Sequence, residues 1–493
     1  MDSPVQIPFK SFIQLNASDA TPIYLQLVFQ FIKAIQLGLL PHGTKLPGSR
    51  ILCKVLMVNR NTLVKAFDDL ESQGFIEVFP NKGTFILSNQ KQVPDQNMFR
   101  EQQSTASRKI GFSFKQSVIL DNPEEKSTMS LQLDDGLPDA RLNYTDILGR
   151  LYVSKLKRNK IRQAIGYTQA LIHSNFKKQF SNYLNLTRGL KIHESNLLTT
   201  TNHEVALFLA LKLLISKGDK VVIVAPGYYQ TNMSILDSGA EIISVPVDGD
   251  GIDTGALRRI CEAQKIRALY LTSVFHYPTN IAISAKKRIE ILELASFYDF
   301  LIIEDDYEFE FHFDHNIILP LAAISTNENV VYIGSFAKSL PPGFGYGFVS
   351  GPVTFIKELE KHQMLLEPKA DLLKEQVLTE WLQEGEFHRL SKKNKKIYKQ
   401  RRDEFIFLLD KYLNGKIKFS VPGRGLAVWI EWLDRFSLIK FKKQCEKHQL
   451  FLPHTILYQN KNLTATRIGF GNLDEKEMPL TIKILAQSLH NII

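Results

Sequence analysis

From about residue 130 onward the chain alternates helical patterns with short β-rich runs, at 220–225, 241–245, 268–272, 300–304 and 330–333. Helix and strand in alternation predict an α/β fold around a mostly parallel central sheet. After about Gly351 helical patterns dominate, and strand patterns return at 425–431 and 465–470. The C-terminal stretch 351–493 therefore reads as a small α+β subdomain of that fold. The most apolar stretch, 205–215, contains Lys212. It is far short of the roughly 20 residues that span a bilayer and reads as a buried helix, so no membrane contact is expected.

A chain of 493 residues exceeds one ordinary core and predicts several domains. Residues 22–87 form a compact patterned unit, while 88–127 are rich in Gln, Asn, Ser, Lys and Glu, with Pro94 and Pro123. The expected organisation is an N-terminal domain over 14–88, a polar linker over 89–127 and a large domain over 128–493. Cys53, Cys261 and Cys445 are odd in number and widely spaced. They argue against a disulfide framework or a zinc site and for a reducing cytoplasm. No apolar signal segment is visible within 1–10. The net charge of +10 permits a polyanionic partner.

The N-terminal unit shows three helical patterns and a hairpin. Leu27, Val28, Phe31, Ile32 and Ile35 recur at helical spacing after Thr21-Pro22, with the threonine as expected cap. Ser49 is the expected cap of a second helix, and Val58-Asn59 leads into a third that opens with Arg60, Asn61 and Thr62. Strand patterns at 75–79 and 84–87 flank the tip Pro80-Asn81-Lys82-Gly83. Three helices and a hairpin predict a winged helix-turn-helix, with a helix for the major groove and a wing for the backbone. Lys45, Arg50, Lys54, Arg60 and Lys65 lie in a stretch without acids, the bias that phosphate neutralisation needs. Lys45, Ser49, Arg50, Arg60, Asn61, Thr62, Lys65, Lys82 and Gly83 are the candidate contacts to a double-stranded operator.

This unit resembles the GntR-type winged helix-turn-helix. The resemblance rests on Pro22-Ile23-Tyr24-Leu25-Gln26, the stretch from Gly38 to Arg50, Val58 to Ala66, Leu70 to Gly74, and Lys82-Gly83-Thr84. His42, Gly48 and Asn59 depart mildly from its pattern.

In the large domain, Gly334-Ser335-Phe336-Ala337-Lys338-Ser339-Leu340 follows the strand pattern 330–333. A lysine in a small-residue turn at a strand end suits a Schiff base with an aldehyde cofactor. Upstream, the strand pattern 300–304 runs into Asp305-Asp306-Tyr307, and an acid there suits a protonated pyridine nitrogen. Together these segments resemble fold-type I pyridoxal-phosphate enzymes, and in particular the aminotransferase-like domain of MocR regulators. Further matches are Gly136-Leu137-Pro138-Asp139, Pro226-Gly227-Tyr228, Pro278-Thr279 and Arg467-Ile468-Gly469-Phe470.

The resemblance implies pyridoxal 5'-phosphate as cofactor. It implies Lys338 as the Schiff-base and catalytic lysine, Asp305 opposite the ring nitrogen, Tyr307 at the ring hydroxyl and Tyr228 over the ring face. Ser335 and Thr201-Asn202-His203 would receive the phosphate at a helix N-terminus, Tyr167 would add a cofactor contact, and Arg467 would pair a ligand carboxylate. It also implies a head-to-tail homodimer.

The pattern breaks in several places. Gly345 stands where the family has a phosphate-binding arginine, and Glu204 ends the phosphate turn. The segment 272–280 has displaced or lost the expected His and Gln, and around 167 only Tyr167 survives. Three functions follow. One is a transcription regulator whose large domain binds the cofactor and senses a small amine, amino acid or the cofactor itself. The second is a working aminotransferase carrying a DNA-binding domain, and the third a regulator whose degenerate domain no longer binds cofactor. The broken ligand shell favours the first, since turnover needs a preorganised site. The basic run 389–402 reads as a solvated helix face.

Overall fold

The computed structural model describes residues 8–16, 19, 21–80, 82–87, 112–142, 145–157, 167–313, 318–336, 338, 340–341, 344–367 and 371–492. The expected linker lies largely outside them, as does Asn81 of the hairpin tip. Two compact units result, Met1–Ser113 and Phe114–Ile493.

In the smaller unit, helices α1 (Ile23–Gln36), α2 (Ser49–Leu56) and α3 (Arg60–Ser72) are followed by strands β1 (Ile76–Phe79) and β2 (Gly83–Ile86). Leu27, Val28, Phe31, Leu52, Leu63, Ala66 and Leu70 bury one face of each helix in a common core. Asn59 caps α3 by accepting from the Asn61 N–H. The caps expected at Thr21 and Ser49 are not used. α1 starts from Pro22, whose ring already fixes a helical entry, and α2 from Gly48, so that Ser49 is its first helical residue. β1 and β2 pair antiparallel with Phe79 opposite Gly83. Gly83 sits at φ 112°, a region that favours glycine at this wing tip.

The larger unit is built on an eight-stranded sheet. Its strands are β3 (Leu197–Thr200), β4 (Lys220–Ala225), β5 (Glu241–Asp248), β6 (Gly251–Ile252), β7 (Ala268–Leu271), β8 (Leu301–Asp306), β9 (Val330–Ser335) and β10 (Gly347–Ser350). Their spatial order is β3-β10-β9-β8-β7-β4-β5-β6. The central strands β5, β4, β7, β8 and β9 run parallel, while β10 lies antiparallel between β9 and β3. Apolar clusters cover both faces. One is centred on helix α4 (His203–Leu214), the other on helices Thr254–Ala263 and Ala285–Phe297. Helix α4 absorbs the apolar stretch 205–215, burying Ala206, Leu207, Leu209, Ala210 and Leu211.

A four-stranded antiparallel sheet in the C-terminal part has the order Ile417–Phe419, Ala427–Trp432, Thr464–Gly469, Leu457–Gln459. The basic run 389–402 lies on the long helix Glu386–Leu413. Arg389 is solvated, whereas Arg401 and Arg402 are drawn inward, to Asp139 and to the Pro422 carbonyl. Among the described residues no helix is long and apolar enough to cross a membrane.

Candidate functional site

Sheet topology brings the chemistry to one edge. β3, β4, β7, β8 and β9 all end there, and β10, running the other way, begins there. Ser335 pairs with Gly347, and Gly347 with Thr200, so three adjacent strands deliver 201–204, 335–338 and 345–347 to the same place. Ligands of open α/β sheets bind outside such carboxyl ends. A cavity of about 250 Å³ opens there, lined by Asp135, Asn202, His203, Glu204, Tyr228, Tyr270, Tyr277, Asp305, Tyr307, Ser335 and Lys338 among others.

Lys338 is held in the cavity by polar contacts. Its Nζ lies 2.6 Å from Glu308 Oε1 and 3.2 Å from the Gly136 carbonyl, and 5.2 Å from the Tyr307 ring centre. Asp305, buried at the end of β8, accepts from the Tyr270 hydroxyl at 2.6 Å and contacts His203 Nε2 at 2.8 Å. Each carboxylate oxygen keeps a second lone pair for a ligand. Burial opposes a charge on His203, but Asp305 beside it and Glu204 raise its proton affinity above the ordinary value. Burial and the Asp305 charge hold the Tyr270 phenol far above its usual range. Tyr228 lines the cavity edge-on to Tyr277, which in turn stands edge-on to Tyr307.

The Thr201 turn accepts an anion. Glu367, just after helix Val353–Leu366, places its carboxylate on both the Thr201 N–H, at 3.3 and 3.4 Å, and the Thr201 hydroxyl. Asn202 caps α4 through the Val205 N–H. Gly347 lets the two segments touch, for a methyl there would run into the Asn202 carbonyl and stand 2.7 Å from the His203 nitrogen. A cation also reaches this edge. Lys374 is buried on helix Leu372–Gln383, with its Nζ 2.8 Å from the Gly345 carbonyl and 4.1 Å from the Tyr346 ring centre. Among the described residues it forms no ion pair. Burial lowers its proton affinity against the pull of Asp371, Glu367 and Glu375.

Lys338, Asp305, Tyr307, Tyr228, Ser335, Asn202 and His203 thus meet around one cavity. The His203 ring, expected at a phosphate, instead packs on Asp305. Arg467, expected to face a ligand, is fully buried and absent from the cavity wall. Thr201 meets Glu367 rather than the cavity. Tyr167 opens helix Tyr167–Arg188, but its side chain lies outside the described residues. Sequence reasoning gave no role to Tyr270, Tyr277, Glu308, Glu367 or Lys374. Glu308 alone carried a signal, standing three residues after Asp305 in the acidic segment.

In the smaller unit Arg50, Arg60, Asn61 and Lys65 are exposed, as is Lys82 in the wing, while Ser49 and Thr62 are half-buried. The Lys65 Nζ lies 3.9 Å over the Tyr24 ring, and the Lys45 Nζ 6.0 Å from the Phe85 ring centre.

Residues 23–86 match the gntR family of bacterial regulatory proteins, and residues 148–476 match the aminotransferase class I and II family. The chain is 28% identical to the uncharacterized HTH-type transcriptional regulator YdfD of Bacillus subtilis, over 97% of this chain and 99% of the relative. It is 23% identical to the probable rhizopine catabolism regulatory protein MocR of Rhizobium meliloti, over 84% and 82% of the two. The larger unit has the fold of the Pyrococcus horikoshii kynurenine aminotransferase, with a TM-score of 0.66 at 22% identity over 74% of this chain and 91% of that one. The chain therefore belongs to the class I and II aminotransferase family, and the gntR-type module joined to that domain gives it the MocR-type architecture of a transcription regulator.

Proposed function

We propose that the protein is a cytoplasmic, DNA-binding transcription regulator whose aminotransferase-like domain binds pyridoxal phosphate and senses a small molecule. The observation that carries the reading is the convergence of Lys338, Asp305 and Tyr307 on one cavity beside a turn that already accepts an anion. The Thr201 N–H and hydroxyl hold the Glu367 carboxylate, an anion that a cofactor phosphate would have to replace, and Lys338, Asp305, Ser335 and Asn202 on the cavity wall fit the cofactor. When bound, the cofactor supplies an electrophilic aldehyde and an electron-withdrawing ring.

The chain's own groups would do the rest. Lys338 offers a primary amine, which Glu308 and the Gly136 carbonyl aim into the cavity. Asp305, oriented by Tyr270 and His203, would hold the ring-nitrogen proton. Tyr228, on the cavity wall, would cover a ring face. Ser335, the N-terminus of α4 and, once Glu367 is displaced, the Thr201 turn would receive the phosphate, with Lys374 as the nearby positive charge. The exposed Arg50, Arg60, Asn61 and Lys82 face an operator, and a head-to-tail homodimer would present two such faces to a repeated site. Effector binding then acts through differential affinity between two states of the dimer.

The test is the visible spectrum of the purified protein with added pyridoxal phosphate. A band that is lost in Lys338→Ala supports the reading, and no band in the wild type refutes it.

A further inference from the structure

Arg467 is spent on the protein. It sits in strand Thr464–Gly469 with no exposed surface. Its Nε donates to the Asp135 carbonyl at 3.1 Å, and its Nη1 to the Pro278 carbonyl at 2.8 Å and to Asn280 Oδ1 at 2.5 Å. The Tyr277 ring covers it, 4.8 Å away. Only Nη2 lacks a hydrogen bond, and 3.6 Å from it stands Glu308 Oε2. The other oxygen of Glu308 holds Lys338. An internal carboxylate therefore lies between Lys338 and Arg467, the residue expected to pair a ligand's carboxylate.

The cavity wall points the same way. Asp135 and Glu204 line it, and neither forms an ion pair among the described residues. Asp135 Oδ2 only accepts from the Tyr277 hydroxyl, at 3.4 Å. Tyr228, Tyr277 and Tyr307 line it too, each edge-on to the next. Unpaired carboxylates beside aromatic faces attract organic cations and repel anions.

We infer that the effector is a primary amine with no carboxylate beside the amino group, best a diamine. Asp135 and Glu204 take its distal ammonium, and Glu308 turns an amino acid away. This narrows the effector of the function proposed above and rests on the reading that this cavity is the sensing site.

The test compares 1,4-diaminobutane with ornithine, which differ by one carboxylate, by calorimetry on the full chain with and without pyridoxal phosphate. The diamine should bind at least about tenfold more tightly in both forms. Glu308→Ala should bring ornithine to within about threefold of the diamine by freeing Arg467. Asp135→Asn should weaken the diamine about fivefold by removing a charge that faces its distal ammonium. Ornithine binding as tightly as the diamine to the wild-type protein overturns the inference without any variant. A ratio unmoved by Glu308→Ala, or a diamine affinity unmoved by Asp135→Asn, overturns it as well. Failure of the cofactor reading shows separately, as the missing visible band, and leaves the comparison on cofactor-free protein standing.

Discussion

Gly347→Ala tests whether the close approach of β10 to the Thr201–His203 turn builds the anion seat. The added methyl would collide with the Asn202 carbonyl and stand 2.7 Å from the His203 nitrogen. Both obstacles are backbone atoms, so no side chain can rotate away. Overpacking costs about 1–3 kcal/mol, and a rigid obstacle puts this case near about 3 kcal/mol. The turn must move, and with it the Asn202 cap and the first N–H groups of α4. Urea unfolding reads the cost cleanly through tryptophan fluorescence, because Trp381, Trp429 and Trp432 all lie in the larger unit. Gly149→Ala is the control. It lies exposed within helix Thr145–Lys157 with nothing within 4 Å of an added methyl, and should stabilise by about 1 kcal/mol. Titration with pyridoxal phosphate should show a loss of about tenfold or more in Gly347→Ala, from the displaced donors. A variant with unchanged stability and unchanged affinity would refute the reasoning.

Further outcomes follow from other parts of the chain. Lys374→Met should weaken pyridoxal phosphate by about one to two decades and leave unphosphorylated pyridoxal unaffected, a contrast read by absorbance titration. Burial raises the Glu304 carboxyl to about 7, against the Leu321 and Ala322 N–H groups and Arg288, which lower it, while Asp306 adds to the rise. Its folded value exceeds its unfolded one, so the stability it contributes is full below about pH 4.5 and lost as pH rises through about 7. Glu304→Gln should therefore remove a downward slope from stability across that window, seen as the difference between wild-type and variant unfolding curves. Arg50→Ala should lower the slope of log affinity against log salt by about one on a random-sequence duplex, measured by fluorescence anisotropy. Arg60→Ala on the protein's own operator should cost about 1–3 kcal/mol if its side chain reads a base, and an unchanged affinity would remove it from the interface.

The sequence by itself determined the local architecture. Periodicity marked α1 to α3 and the wing, and the strand patterns at 220–225, 268–272, 300–304 and 330–333 match strands β4, β7, β8 and β9 to within two residues. The motifs around Asp305 and Lys338 were legible because each is a contiguous strand end with its turn. Capping was less legible, since Pro22 and Gly48 open helices without the side-chain bond that Thr21 and Ser49 advertise. Tertiary structure decided the partners. The insertion of β10 between β3 and β9 puts Gly347 against Asn202, although the two are far apart in the chain. The same folding seats Glu367 on Thr201, Lys374 at Gly345 and His203 on Asp305. It also turns Arg467 away from the cavity and onto Asp135, Pro278 and Asn280. Side-chain periodicity reports only which face of an element is buried. Which charge meets which depends on strand order and crossover, and those are set by packing of the whole sheet.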